Sequence, residues 1–327
     1  MTEDAGELCD AIIIGTGFAG VYGLHWMREA GFRVIAVEAG DDVGGCWYWN
    51  RYPGLRWDVD SVEYAYAFSD ELQQEWRWSE RYAPQSEIHA YIKFAADRLG
   101  LRPHIRFNTR IANALYDDVA QVWTLTSEAG DSFRARYIVM ATGCLSIPNK
   151  PKIKGIENFE GQLVHSVQWP NEKLDLSDKN VAVIGTGSTG VQMIPLLAQE
   201  ARHLTVVQRT PAFCVPARNQ PWNDARIEYW RQNYRDLRAM ARNTRAGVLH
   251  EYGMLPAAAV RPEDRIADLE RRWVKGGPNV LYGFNDLLVN EETNRLMADF
   301  LGGKIADAVN HPEIAKKMMP YDYTVGT

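Results

Sequence analysis

Two six-residue phrases, GTGFAG at 15–20 and GTGSTG at 185–190, constrain this chain more than any other feature. Each follows a short β-branched run, AIII at 11–14 and VAVI at 181–184, and each opens a helical pattern. The three glycines of such a phrase do different things. One permits a tight turn, one lets the backbone approach a pyrophosphate, and one brings helix and strand together. The helix start that follows leaves unpaired N–H groups facing the phosphate charge.

Strand, turn, helix and second strand predict an α/β chain with two Rossmann-like dinucleotide-binding domains. The first pocket is expected at Gly15, Gly17, Phe18, Ala19 and Gly20, and the second at Thr186, Gly187, Ser188, Thr189 and Gly190, with Gln192 on the following helix. The second strands end differently. FRVIAVE closes on Glu38, twenty-three residues after Gly15, where a carboxylate can accept hydrogen bonds from a ribose 2′-OH and repels a 2′-phosphate. This pocket suits FAD or NAD. HLTVVQRT carries Gln208 at the matching place, then Arg209 and Thr210. A guanidinium fork and a hydroxyl suit a 2′-phosphate, so this pocket reads as NADP(H). Pro195 inside the second helix is expected to kink it or shift its first turns. One site choosing against the 2′-phosphate and one choosing for it imply electron passage from NADPH to FAD.

Composition narrows the class. The 327 residues are 46% hydrophobic and 24% charged, with net charge −6 and no basic stripe for nucleic acid. Apolar runs fall well short of a membrane span, and Glu3, Asp4 and Glu7 are unlike a signal-peptide start. Cys9, Cys46, Cys144 and Cys214 show no C-x-x-C spacing, so neither a metal site nor a disulfide framework is expected, and a cytoplasmic location is. A disulfide reductase would carry a redox cysteine pair soon after the first pocket. Here Cys46 stands alone in GGCWYWNRYPGLRWDVDS, which favours a flavoprotein that uses oxygen.

GGCWYWNRYPGLRWD, the ATG at 141–143, and FEGQLVHSVQWP resemble the corresponding stretches of Baeyer–Villiger monooxygenases, and DELQQEW and MATGCLSIPN look like their phenylacetone-type branch. The last fits that family's signature at Phe159, Gly161, His165, Trp169 and Pro170. The resemblance implies an enzyme using NADPH, FAD and O2 to insert oxygen beside a ketone carbonyl, giving esters or lactones. It implies flavin contacts at Gly45, Cys46, Trp47, Tyr48, Trp49, Asp58, Tyr64 and Ile111, with Arg56 and Trp57 bordering the nicotinamide side. Asp58 is the carboxylate it makes catalytic, paired with an arginine that stabilises developing negative charge. Cys46 stands where the family commonly has Thr, and Trp57 where Cys is frequent. The signature is associated with domain coupling, so His165 is expected to position backbone rather than act as acid or base.

The organisation expected is an FAD segment at 1–143, an NADP segment at 144–217 and a helical insertion at 218–327, with both sheets incomplete. The family's Lys-Arg pair, expected just after a stretch like MPYDYTVGT, is not in the sequence. The chain therefore reads as an N-terminal part, either completed by a complementary C-terminal polypeptide or truncated from a longer one. Two alternatives stay open: an N- or S-oxidising flavin monooxygenase, and a nucleotide-binding fragment without turnover.

Overall fold

The apolar run at the start of the chain becomes β1 (Leu8–Ile14), with Ala11, Ile12 and Ile13 fully buried. Burial on both faces is what a parallel strand requires, and β1 lies between two parallel partners, β2 (Val34–Val37) and β6 (Ser132–Met140). In this computed structural model, which describes residues 8–145, 147–320 and 324–326, two units are distinguished. One is Met1–Leu55 with Pro84–Leu174, the other Arg56–Ala83 with Asp175–Thr327.

The first unit has a six-stranded sheet in the order β3-β2-β1-β6-β5-β4, where β3 is Ile105–Arg106, β4 Ile111–Asp117 and β5 Val122–Ser127. The last three strands form an antiparallel meander. Ile12, Ile35, Val37, Leu125, Phe133 and Ala135 make a core on this sheet. Helix α1 (Phe18–Glu29) follows the first glycine phrase, α2 (Cys46–Trp49) is a single turn, and α5 (Gln85–Arg98) buries Ile88, Tyr91 and Ile92. Register matters for the site. Ile14 pairs with both Val37 and Met140, so the carboxyl ends of three strands lie side by side.

In the second unit β7 (Asn180–Ile184) and β8 (His203–Val207) form a two-stranded parallel sheet, and α6 (Ser188–Glu200) joins them. Helix α6 runs through Pro195 without interruption, so the proline removes one backbone donor but does not end the helix. Ile184, Val206 and Val207 stay largely exposed on this small sheet. The helices α7 (Asp224–Arg242), α8 (Pro262–Lys275), α9 (Glu291–Ala308) and α10 (Pro312–Met318) follow, several of them around a core of Leu269, Val280, Phe284, Leu287, Met297 and Leu301. Asn223 and Asn290 cap α7 and α9 by accepting from Arg226 and Thr293 amides at 2.8 and 3.0 Å.

The excursion Arg56–Ala83, with α3 (Ser61–Tyr64) and α4 (Asp70–Glu75), belongs to this unit. Buried Arg81 and Asp60 form an ion pair at 2.7 Å. Arg238 of α7 donates to the carbonyls of Val62, Glu63 and Ala65, satisfying groups a one-turn helix leaves open. Asn219 bonds both the Tyr82 amide and Glu80. Among the described residues no helix is long and apolar enough to cross a membrane.

Candidate functional site

The first pocket is built where β1, β2 and β6 end. The Gly15 amide donates to the Val37 carbonyl at 2.8 Å, which turns the chain out of β1 beside the last residue of β2. Gly15 has φ +98°, and a Cβ there would meet the Ala141 carbonyl oxygen at 2.6 Å. A Cβ on Gly20 would lie 1.9 Å from the Gly15 carbonyl oxygen, so helix and turn touch backbone to backbone. Gly17 and Gly45 also approach closely: a Cβ on Gly45 would reach the Gly17 Cα at 2.8 Å. Gly15, Gly20 and Gly45 thus each lie hard against backbone.

Glu38 follows β2 and is 4% exposed. Its carboxylate accepts from the Thr16 amide and the Thr16 hydroxyl, both at 2.8 Å, and from the Gly40 amide at 2.9 Å. A carboxylate has roughly four lone-pair sites. Three are filled, and one remains for a ribose hydroxyl, so the donor set fits the adenosine end of a dinucleotide. Tyr48 covers Gly40 with its ring and donates its hydroxyl to Asp41 at 2.6 Å. Trp47 is buried, and its carbonyl accepts from Gln85. Trp49 and Cys46 are exposed, Ala19 likewise, while Phe18 stacks on Tyr91 at 6.2 Å. Surrounding protein pushes the Cys46 thiol up, and neighbouring Cys144 adds to the shift, which keeps the group a thiol rather than a reactive thiolate. Ile111 begins β4, half-buried.

The second pocket repeats this construction in the second unit. The Gly185 amide donates to the Val207 carbonyl at 2.9 Å, and a Cβ on Gly190 would stand 2.4 Å from the Gly185 carbonyl oxygen. Among the described residues, its chain neighbours apart, nothing lies within 4 Å of where a Cβ on Gly187 would be, at the α6 N-terminus with Ser188 and Thr189. Thr186 donates its hydroxyl to Gln208 Oε1 at 3.2 Å, as Thr16 does to Glu38, and the Thr210 carbonyl lies at 3.5 Å. The other end of the Gln208 carboxamide donates to the Lys317 carbonyl at 3.0 Å. Arg209 and Thr210 are exposed. An exposed guanidinium beside an uncharged acceptor fits a phosphorylated ribose better than Glu38 would.

Arg56, Trp57, Asp58 and Tyr64 lie in this second unit. The Arg56 guanidinium donates to the Tyr82 carbonyl at 3.1 Å and to Glu80 at 3.3 Å, and the Trp57 ring lies 4.5 Å from that of Tyr64. Gln192 of α6 donates to the Arg56 carbonyl at 3.0 Å. Asp58 has exposed surface atoms, yet the protein beneath it dehydrates the carboxyl and pushes its pKa up.

The signature residues fall in the first unit. Exposed Phe159 lays its ring over Gly161, where a Cβ would meet it at 2.7 Å. His165 Nδ1 accepts from the Val167 amide and Nε2 faces the Asn149 carbonyl, both at 3.3 Å. The ring thus ties backbone to backbone. Trp169 and Pro170 are half-buried. Sequence reasoning missed Thr16 and the Asp60–Arg81 pair. The threonine had a signal, since both phrases read GTG.

Residues 9–235 match the model of the pyridine nucleotide-disulphide oxidoreductase family. The chain is 40% identical over 324 residues to a Baeyer-Villiger monooxygenase of Pseudooceanicola batsensis, covering 98% of this chain and 59% of that protein. It is 42% identical over 316 residues to the phenazine N-monooxygenase PhzNO1 of Lysobacter antibioticus, covering 96% and 58%. The crystal structure of OTEMO in complex with FAD and NADP superposes with a TM-score of 0.93 at 39% identity, covering 97% of this chain and 61% of that one. The chain thus spans about three-fifths of the length of the relatives it matches. The resemblance to Baeyer–Villiger monooxygenases is borne out, and so is the α/β class.

Proposed function

The chain belongs to the pyridine nucleotide-disulphide oxidoreductase family, and we propose that within it this chain is the nucleotide-handling part of an NADPH-dependent Baeyer–Villiger monooxygenase acting on a ketone with O2. The observation that carries the reading is the paired construction of the two pockets. A threonine hydroxyl meets a carboxylate in one and a carboxamide in the other, and only the second is followed by an exposed guanidinium.

In this reading Glu38 holds the FAD ribose, and the Gly17–Gly45 approach leaves backbone rather than side chain along the pyrophosphate. Arg209 and Thr210 hold the NADP 2′-phosphate. When bound, the nicotinamide supplies hydride and the flavin passes electrons to oxygen. This chain's side chains bind, orient and manage protons around that chemistry. Asp58, with its pKa raised by dehydration, holds a proton more readily than a solvated aspartate does. The cation that would pair with it comes from a complementary C-terminal segment, a role supported by the exposed apolar side chains of β7 and β8 and by the greater length of the relatives. His165 fixes backbone and performs no proton transfer. Four free cysteines support a reducing cytoplasm.

A second reading, nitrogen oxidation, is favoured by the identity to a phenazine N-monooxygenase. The first test is binding: the purified chain should take up FAD, seen as flavin absorbance, and should bind NADP+ more tightly than NAD+ by calorimetry. Colourless protein with equal affinity for both would overturn the assignment. The second joins this chain to the C-terminal portion of a relative and follows ketone-dependent NADPH consumption. Ester products support the first reading; N-oxides from heteroaromatic amines with no ketone turnover support the second.

A further inference from the structure

Asp58 sits between two clamps. Downstream, Asp60 is fixed by buried Arg81 at 2.7 Å, with Arg226 at 3.5 Å. Upstream, the Arg56 carbonyl accepts from Gln192 at 3.0 Å, and the Trp57 amide donates to the Ala83 carbonyl at 3.4 Å. The two clamps differ in what stands behind them. The Asp60 clamp is a buried ion pair within the excursion itself, joined to α7 by Arg226. The Arg56 clamp belongs to α6, whose first turn opens the second pocket. Ser188 and Gln192 are four residues apart and therefore share a face of α6. A helix this short moves as a rod, so a displacement at its phosphate-facing end is carried to the Gln192 carboxamide one turn on.

We infer that Gln192 is a positioning residue that relays occupancy of the second pocket to the Asp58 segment by its bond to the Arg56 carbonyl. The inference rests on the second pocket taking NADP(H), and it adds to that reading a route by which the bound nucleotide adjusts the carboxylate. Gln192 does this as a hydrogen-bond donor. A leucine fills similar space and donates nothing, whereas a lysine restores a donor on a longer stem.

The reporter is the Trp57 amide, which shares its peptide group with the Arg56 carbonyl. Its exchange with deuterated solvent is followed on the full chain, with and without NADP+ at saturation, beside calorimetry on the same samples. In the wild type NADP+ should slow exchange at Trp57 by about fivefold, the worth of one net hydrogen bond. Gln192→Leu should abolish that response, and Gln192→Lys should recover most of it. A Leu variant that keeps the response, or a Lys variant that stays as unresponsive as Leu, overturns the relay. NADP+ heat in the wild type without any change at Trp57 overturns it too, whatever the variants do, and leaves the pocket assignment standing. No heat in the wild type removes the pocket assignment and the relay together.

Discussion

At the scale of single residues, the carboxylate of Glu38 and the guanidinium of Arg209 should have separable effects. Glu38→Gln replaces an acceptor with a group that donates from one end, and the Thr16 amide and hydroxyl both point at it. Hydrogen bonds to a charged group are worth about 1.5–3 kcal/mol, so FAD affinity should fall at least about tenfold in a fluorescence titration. Arg209→Ala should weaken NADP+ binding by about 10- to 100-fold, by the same bond strengths, and leave NAD+ binding nearly unchanged in calorimetry. That both residues lie just past the second strand of a strand–helix–strand unit was legible from the glycine phrases. Thr16 was marked only by the GTG that the two phrases share, and only the fold brings it to Glu38. The raised pKa of Asp58 was equally hidden, since dehydration depends on what packs beneath the carboxyl.

Elements were legible where glycine, strand and helix follow one another in a fixed order. β1, α1 and β2, and then β7, α6 and β8, stand where the phrases require. Gly20→Ala should cost about 3 kcal/mol in urea denaturation, because its Cβ would collide with backbone that cannot rotate away. The pairing of Arg56–Ala83 with Asn219 and with α7 had no marker in the sequence. It is made by scattered polar groups such as Asn219, Arg226 and Arg238, each unremarkable in isolation. Asp60→Ala should destabilise the chain by about 3–5 kcal/mol, the usual consequence of leaving a buried arginine without its partner. The same measurement on Asp60→Asn, which keeps a neutral acceptor, should show a smaller loss.

For the molecule as a whole, acid sensitivity has an identifiable contributor in the helical region. Hydrogen bonds from Lys275 and then Arg271 hold the Glu251 carboxyl down at about 2, against an ordinary value of 4.5. A depressed folded pKa contributes stability that is present above the unfolded value and is lost as pH falls through the folded one. Glu251→Gln should therefore melt below the wild type at neutral pH, with the gap closing between pH 4.5 and about 2. The side chains are partly exposed, so the gap should be at most about 1 kcal/mol. The linear order expected from the sequence does not express one property of the chain, its passage between units at 55–56, 83–84 and 174–175. No single peptide-bond cleavage can release either unit intact, and no contiguous stretch of gene encodes one alone.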